Sequence, residues 1–195
     1  MSRRITIIQG HPDARSGHFC HALADAYSAG ATQAGHEVRR VDVAALDFPL
    51  LTRKDDWEKG ETPPSLREAQ EAILWAQHLV LLYPLWLGTL PAQFKGFLEQ
   101  VLRPSLIGGA EQGLVAFGKL LKGRSARIVV TMGMPALLYR WYFRAHSLKN
   151  LQRNILGFVG VAPIRSSVIG LIETRGKGVH ERWLANMRDL GKDAR

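Results

Sequence analysis

One cysteine, Cys20, stands in 195 residues. That excludes an intrachain disulfide framework and fits a reducing compartment, so a cytoplasmic location is expected. No apolar run approaches the roughly 20 residues of a membrane span, and no transmembrane segment is expected. The opening MSRRITIIQG is basic, then apolar. Its apolar part is too short for a signal-peptide core and lacks a small-residue cleavage site, so it reads as a strand. No internal repeat, biased tract or linker divides the chain, which points to one domain over 1–195.

Three signatures are also missing. No G-x-G-x-x-G follows the first strand. Gly113 to Lys119 spells a phosphate loop as far as its lysine, but Leu120 stands where Ser or Thr must hold magnesium. His18, Cys20 and His21 fall within one helical turn without sharing a face, and nothing nearby completes a zinc spacing, so no metal is expected. Acidic residues are scarce in the second part of the chain. Residues 1–118 hold 11 Lys and Arg against 13 Asp and Glu, whereas residues 119–195 hold 15 against 4. Such a basic half suits nucleic acid, an anionic membrane surface, a phosphate-bearing small molecule or simply a solvated face. No nucleic-acid recognition motif accompanies it, and no nucleic-acid partner is expected.

What is present alternates. Arg4 to Gly10 reads as a strand buried on both faces. After a turn-rich loop, Phe19, Ala22, Leu23, Ala26, Tyr27 and Gly30 mark one face of a helix that Gly35 ends. Glu37 to Val43 is a second strand, and the short joints imply a right-handed crossover with a parallel pair. Phe48 to Pro64 reads as a surface excursion, and Ser65 to Gln77 as a helix with Ser65 as cap and Glu68 three residues on. Strands are expected at His78–Tyr83, Ala126–Gly133 and Ala162–Ile172. Helices are expected from Pro91 to Leu102, Ala136 to about Leu156 and Val179 to Leu190, with Gly108 to Gly123 irregular. The expected fold class is α/β, a doubly wound five-stranded parallel sheet.

Ligands of such sheets bind beyond the strands' carboxyl ends. Three loops qualify: His11 to His18, Pro84 to Pro91 and Thr131 to Pro135. The first runs into a helix whose free amides and dipole suit a phosphate, with His11, Ser16 and His18 as added donors. The second is unusual, because a buried strand hands over to Leu85-Trp86-Leu87 and Gly88 rather than to polar residues. That suits a flat apolar ligand, with backbone amides from Pro84 to Leu87 on its polar edge and Trp86 as a wall. No acidic residue occurs between Glu71 and Glu99, and Pro91 opens a helix whose positive end faces the loop.

These residues resemble the flavodoxin-like NAD(P)H:quinone oxidoreductases, the flavodoxin-2 group that includes modulator-of-drug-activity enzymes and ancillary proteins of glutathione-gated potassium efflux. Tyr83-Pro84-Leu85-Trp86-Leu87-Gly88-Thr89-Leu90-Pro91-Ala92 with Lys95-Gly96 is similar to the family's Y-P-L-W-W-G-x-x-P-A-x-x-K-G. His11-Pro12-Asp13, then Phe19 and His21-Ala22-Leu23, is similar to its H-P … S-F-N-H-A-L, with His18 and Cys20 replacing the serine and asparagine beside the phenylalanine. Thr131-Met132-Gly133-Met134-Pro135 stands where the family has T-T-G-G-P.

The resemblance implies the strand order 2-1-3-4-5. It implies a flavin, FMN or alternatively FAD, held by His11, Ser16, His18, Phe19, Cys20, Pro84 to Gly88 and Thr131 to Met134. NADPH or NADH is the implied hydride donor, a quinone-like molecule the acceptor, ping-pong the order and a homodimer the assembly. Tyr139 and His146 are at the spacing of a family tyrosine and histidine that steady charge during hydride transfer. Arg140, Arg144 and Lys149 fall near one helical face; that face suits cofactor phosphates first, and alternatively an acidic partner or a membrane surface. The alternative function is a flavin-binding regulatory subunit of a potassium-efflux transporter.

Overall fold

The computed structural model describes residues 1–15, 17–104, 119–174 and 176–195. Ser16 and most of the phosphate-loop-like run, Gly113 to Gly118, lie outside the described residues. Strands β1 (Arg4–Gln9), β2 (Glu37–Asp42), β3 (His78–Pro84), β4 (Ser125–Thr131) and β5 (Ile164–Ile169) form one parallel sheet in the order β2-β1-β3-β4-β5. The expected fold class and strand order are what the molecule adopts.

Period-two alternation builds two cores. Ile5, Ile7, Val80, Leu82 and Val129 face helices α1 (Phe19–Gln33) and α7 (Lys177–Lys192), meeting Leu23, Tyr27 and Met187. Ile8, Leu79, Leu81, Ile128 and Val130 face the other way, toward α3 (Arg67–Trp75) and α4 (Ala92–Val101), where Phe94 and Phe97 are fully buried. Every residue of β3 is buried, as a central strand covered on both faces requires. Each large side chain so buried contributes about 1.5–3 kcal/mol relative to exposure.

Three stretches depart from expectation. The polar excursion contains a one-turn helix, α2 (Lys54–Glu58), spanned by the i,i+4 ion pairs Lys54–Glu58 and Lys59–Asp55. Ser65 is no cap: it sits in a tight turn, Pro64–Leu66, and its hydroxyl donates to the Asp47 carbonyl at 2.6 Å. The single helix expected from Ala136 breaks into α5 (Ala136–Trp141), α6 (His146–Asn150) and a π-helical stretch, Leu151–Leu156. The break is local, because Arg144 and Ala145 are both left-handed, at φ 51° and 49°. Arg140, Arg144 and Lys149 therefore do not lie along one continuous helix. Among the described residues, no helix is long and apolar enough to cross a membrane.

Candidate functional site

The carboxyl ends of β1, β3 and β4 meet in register and are tied together by backbone hydrogen bonds. Gly10 N–H donates to Leu82 O at 2.7 Å, Leu85 N–H to Thr131 O at 2.7 Å, and Met132 N–H to Ile169 O at 2.9 Å. Gly10 is fixed by packing: a Cβ there would stand 2.6 Å from the ring of Phe94. The three loops thus spring from one edge, as the doubly wound sheet demands.

The second loop is a tight turn. Trp86 and Thr89 exchange both backbone hydrogen bonds, at 3.0 and 2.9 Å, while Leu87 and Gly88 take φ 45° and 78°. Positive φ at both central residues is the type I′ geometry, natural for Gly88 and strained for Leu87. The turn holds Trp86 half-exposed, at 51%, and projects Leu87 wholly into solvent.

This geometry corrects the expected donors. Pro84 has no N–H, and the amides of Leu85 and Trp86 are consumed by Thr131 O and Thr89 O. Only Leu87 and Gly88 keep amides without a partner among the described residues.

The first loop is organised by side chains. Asp13 accepts from the Arg15 side chain at 2.6–3.0 Å and from the Arg15 amide at 3.0 Å, and its Oδ2 lies 3.0 Å from His18 Nε2. The hydrogen bonds from Arg15 hold the Asp13 carboxyl well below the usual carboxylate range. His21 Nε2 reaches the Asp13 carbonyl at 3.0 Å. His11 Nδ1 lies 3.1 Å from the Asp13 amide and 3.2 Å from the Asp13 carbonyl, so the loop backbone holds the ring in either tautomer. His11 is buried, stacks on His18 at 4.1 Å and meets the edge of Trp86 at 6.2 Å, joining the first loop to the second. Burial, then the neighbouring His18 and His21, lowers its pKa below the ordinary 6.5 and keeps it neutral at pH 7. Among the described residues, no group of three or more His, Cys, Asp or Glu side chains could hold a metal ion.

The first turn of α1 behaves differently from the sequence reading in its side chains. Phe19 stacks on His180 of α7 at 4.3 Å, and the Cys20 thiol turns into the core, donating to Gln9 Oε1 at 3.3 Å. Burial pushes that thiol up to about 12. What Phe19 and Cys20 offer a ligand is their amides, which find no partner among the described residues. His18 makes no side-chain cap, so this helix start keeps its dipole open. Ser16, expected as a further donor, is outside the described residues.

In the third loop, Thr131 is buried, with its hydroxyl against the Cys20 thiol. The Met132 amide is used by Ile169 O, whereas the amides of Gly133 and Met134 have no partner among the described residues. Gly133 is open to solvent, and the nearest group to a Cβ placed there would be the Glu173 carboxylate, 4.0 Å away.

Tyr139 and His146 fare unequally. The Tyr139 hydroxyl lies 2.8 Å from Ser147 Oγ and accepts the Leu148 amide at 3.1 Å, while its ring is buried. The left-handed Arg144–Ala145 pair folds α6 back onto it, so this hydroxyl holds the kink instead of facing the open site. His146 is exposed, and its ring has no partner among the described residues.

One positioning residue escapes sequence reading. Gln9 donates through Nε2 to Cys20 O at 3.1 Å and accepts the His11 amide at 3.1 Å, which fastens the end of β1 to the first turn of α1. Its only signal was a polar residue closing an apolar strand. A cavity of about 580 Å³ opens at the opposite edge of the sheet, among Arg3, His78, Ser125, Arg165 and Arg195. It lies away from these loops, at the amino ends of the strands.

Fold and site together define a doubly wound α/β domain whose candidate ligand site lies at the carboxyl edge of the sheet. A family model described as a flavodoxin-like fold matches residues 3–189, and the chain belongs to that flavodoxin-2 family. It is 26% identical to an NAD(P)H oxidoreductase of Haemophilus influenzae over 84% of this chain and 82% of that protein. It is 27% identical to an FMN-dependent NADH:quinone oxidoreductase of Ruegeria pomeroyi over 58% of this chain and 63% of that one. Among solved structures, an NAD(P)H:quinone oxidoreductase from Methanothermobacter marburgensis superposes with a TM-score of 0.80 at 23% identity, covering 99% of this chain and 96% of the other.

Proposed function

We propose that this chain is an FMN-dependent NAD(P)H:quinone oxidoreductase. One observation carries the reading: the Trp86–Thr89 turn presents a half-exposed indole and two unpartnered amides beside a helix start with unpartnered amides of its own. The donor set fits FMN. The amides of Phe19 and Cys20, with the His11 ring nearby, suit the phosphate, and those of Leu87, Gly88, Gly133 and Met134 suit a ring edge rich in acceptors. When bound, the flavin supplies two-electron hydride chemistry, and the protein supplies position and electrostatics.

The chain's own contributions follow from geometry. Trp86 shields one side of the bed. Buried His11 lines the first loop without adding charge. His146, exposed on the segment that follows the third loop, is the proposed hydrogen-bond donor to a developing oxyanion, and Tyr139 fixes the start of its helix through Ser147 and Leu148. An open apolar bed takes a planar nicotinamide, NADPH or NADH, and then a planar quinone in turn, which is a ping-pong order. A homodimer belongs to the same proposal.

Titration of the purified chain with FMN tests it directly. The expected outcome is stoichiometric binding with quenched flavin fluorescence, and NAD(P)H consumption by a simple quinone above that of free FMN. A chain that binds neither FMN nor FAD overturns the reading. Binding without turnover favours the transporter-regulating alternative.

A further inference from the structure

The amino edge of the sheet, opposite the candidate flavin site, carries charges that the fold does not need. Strand alternation puts His78, Ser125, Arg127 and Arg165 on one face, the side covered by α1 and α7. Arg127 and Arg165 are direct cross-strand partners in β4 and β5. Like charges so placed destabilise a sheet, and no carboxylate pairs with either of them, or with Arg3, among the described residues. Arg127 is buried; it gives Nε to the Arg195 main-chain oxygen at 2.5 Å and Nη1 to Ser167 Oγ at 2.8 Å. A positive charge is thus held inside on neutral acceptors, which is costly unless something compensates it.

Arg3, His78, Ser125 and Arg165 line the cavity of about 580 Å³ between this edge and the end of α7, and Arg3, Arg165 and Arg195 on its wall are exposed. Asp193 is the one acidic side chain lining it among the described residues, and it stands 3.4 Å from Arg195 Nη1. His78 is 2% exposed. Ser125 Oγ occupies its Nδ1 at 2.8 Å, while its Nε2 is buried with no hydrogen-bond partner. When the serine hydroxyl donates, Nε2 carries the proton and is a donor without an acceptor. Burial, then the field of Arg127, Arg3 and Arg165, keeps the ring neutral at pH 7. An anion supplies what each of these groups lacks: counter-charge for the arginines and an acceptor for Nε2. The volume exceeds a single phosphate and suits a larger molecule.

We propose that this cavity is a binding site for a small molecule bearing two or more phosphates, with Arg3 and Arg165 meeting the phosphate oxygens and His78 Nε2 as the buried donor. It stands apart from the oxidoreductase reading, since no group of the Trp86 turn or the first loop takes part.

Inorganic pyrophosphate, titrated calorimetrically into the full chain at fixed ionic strength, tests it. The expected result is saturable binding that Arg3→Gln with Arg165→Gln weakens by at least about tenfold, with the fold kept because both side chains are exposed. Arg15→Gln with His18→Gln, which disables the first loop as an anion site, should leave that binding in place. In nitrogen-15 spectra assigned with His78→Phe, the His78 Nε2 signal should move on binding, and its pKa should rise because the anion stabilises the imidazolium. Arg165→Gln alone should raise the thermal midpoint of the free chain, since it relieves the like-charge pair, and should lose the further rise that pyrophosphate gives the unmodified chain. Heats no different from those of sodium chloride at the same ionic strength overturn the proposal. So do binding unchanged in the Arg3 and Arg165 variant, binding lost with Arg15 and His18, or a His78 signal that pyrophosphate does not move.

Discussion

The two loops that bracket the proposed ligand are held by opposite means. Around Asp13, side chains do the holding: one carboxylate gathers Arg15 and His18, and the neighbouring carbonyl takes His21. At Trp86–Thr89 two backbone hydrogen bonds suffice, and no polar side chain takes part in the turn. A loop built on titratable groups changes with pH, whereas one built on the backbone does not. Recognition of a ligand's charged end is therefore adjustable here, and the bed for its flat end is constant.

The heaviest blow to this contrast falls on the residue where both loops are anchored. Gly10→Val should cost about 3 kcal/mol, because even the first added carbon meets the Phe94 ring at 2.6 Å. Urea unfolding would measure the loss.

Acid acts next, on the opposite edge of the sheet as well as on the first loop. His78 is buried, and burial lowers its pKa to about 4 from an ordinary 6.5. The unfolded chain then takes up the proton first, so stability falls as pH drops from 6.5 toward 4, by about 2 kcal/mol at pH 5. His11, also lowered, acts in the same direction. In His78→Phe the global part disappears, and the remaining pH slope between 7 and 5 should vanish only when His11 is replaced as well.

A smaller effect sharpens the other side. Trp86→Ala should weaken FMN binding about tenfold with little change in stability, since half the ring is already exposed. A flavin titration beside a thermal melt distinguishes the two. The smallest change is a gain: Leu87→Asn should stabilise the fold by about 0.5–1 kcal/mol, because asparagine tolerates the left-handed conformation that leucine holds under strain. No gain would mean that the turn relaxes around its leucine.

The sheet was legible because strands covered on both faces leave continuous apolar runs, and β1, β3 and β4 all do. The bed at Trp86 was legible for the opposite reason, an apolar loop where a polar one belongs. The amides of Leu85 and Trp86 were not, since their fate depends on Thr131 and Thr89 carbonyls that only the folded chain brings near. The kink at Arg144 and Ala145 left no trace either, because neither residue type favours the left-handed region. The bonds of the Tyr139 hydroxyl to Ser147 and Leu148 were hidden for the same reason, since only the kink brings those partners to it.

Cys20 has a last consequence. Quinones are Michael acceptors that alkylate accessible thiolates, and an enzyme that handles them risks being consumed by its own substrate. The chain's only sulfhydryl is sealed behind the first turn of α1 and held almost wholly protonated at neutral pH by burial. The site thus keeps no soft nucleophile within reach of the electrophile it is proposed to receive.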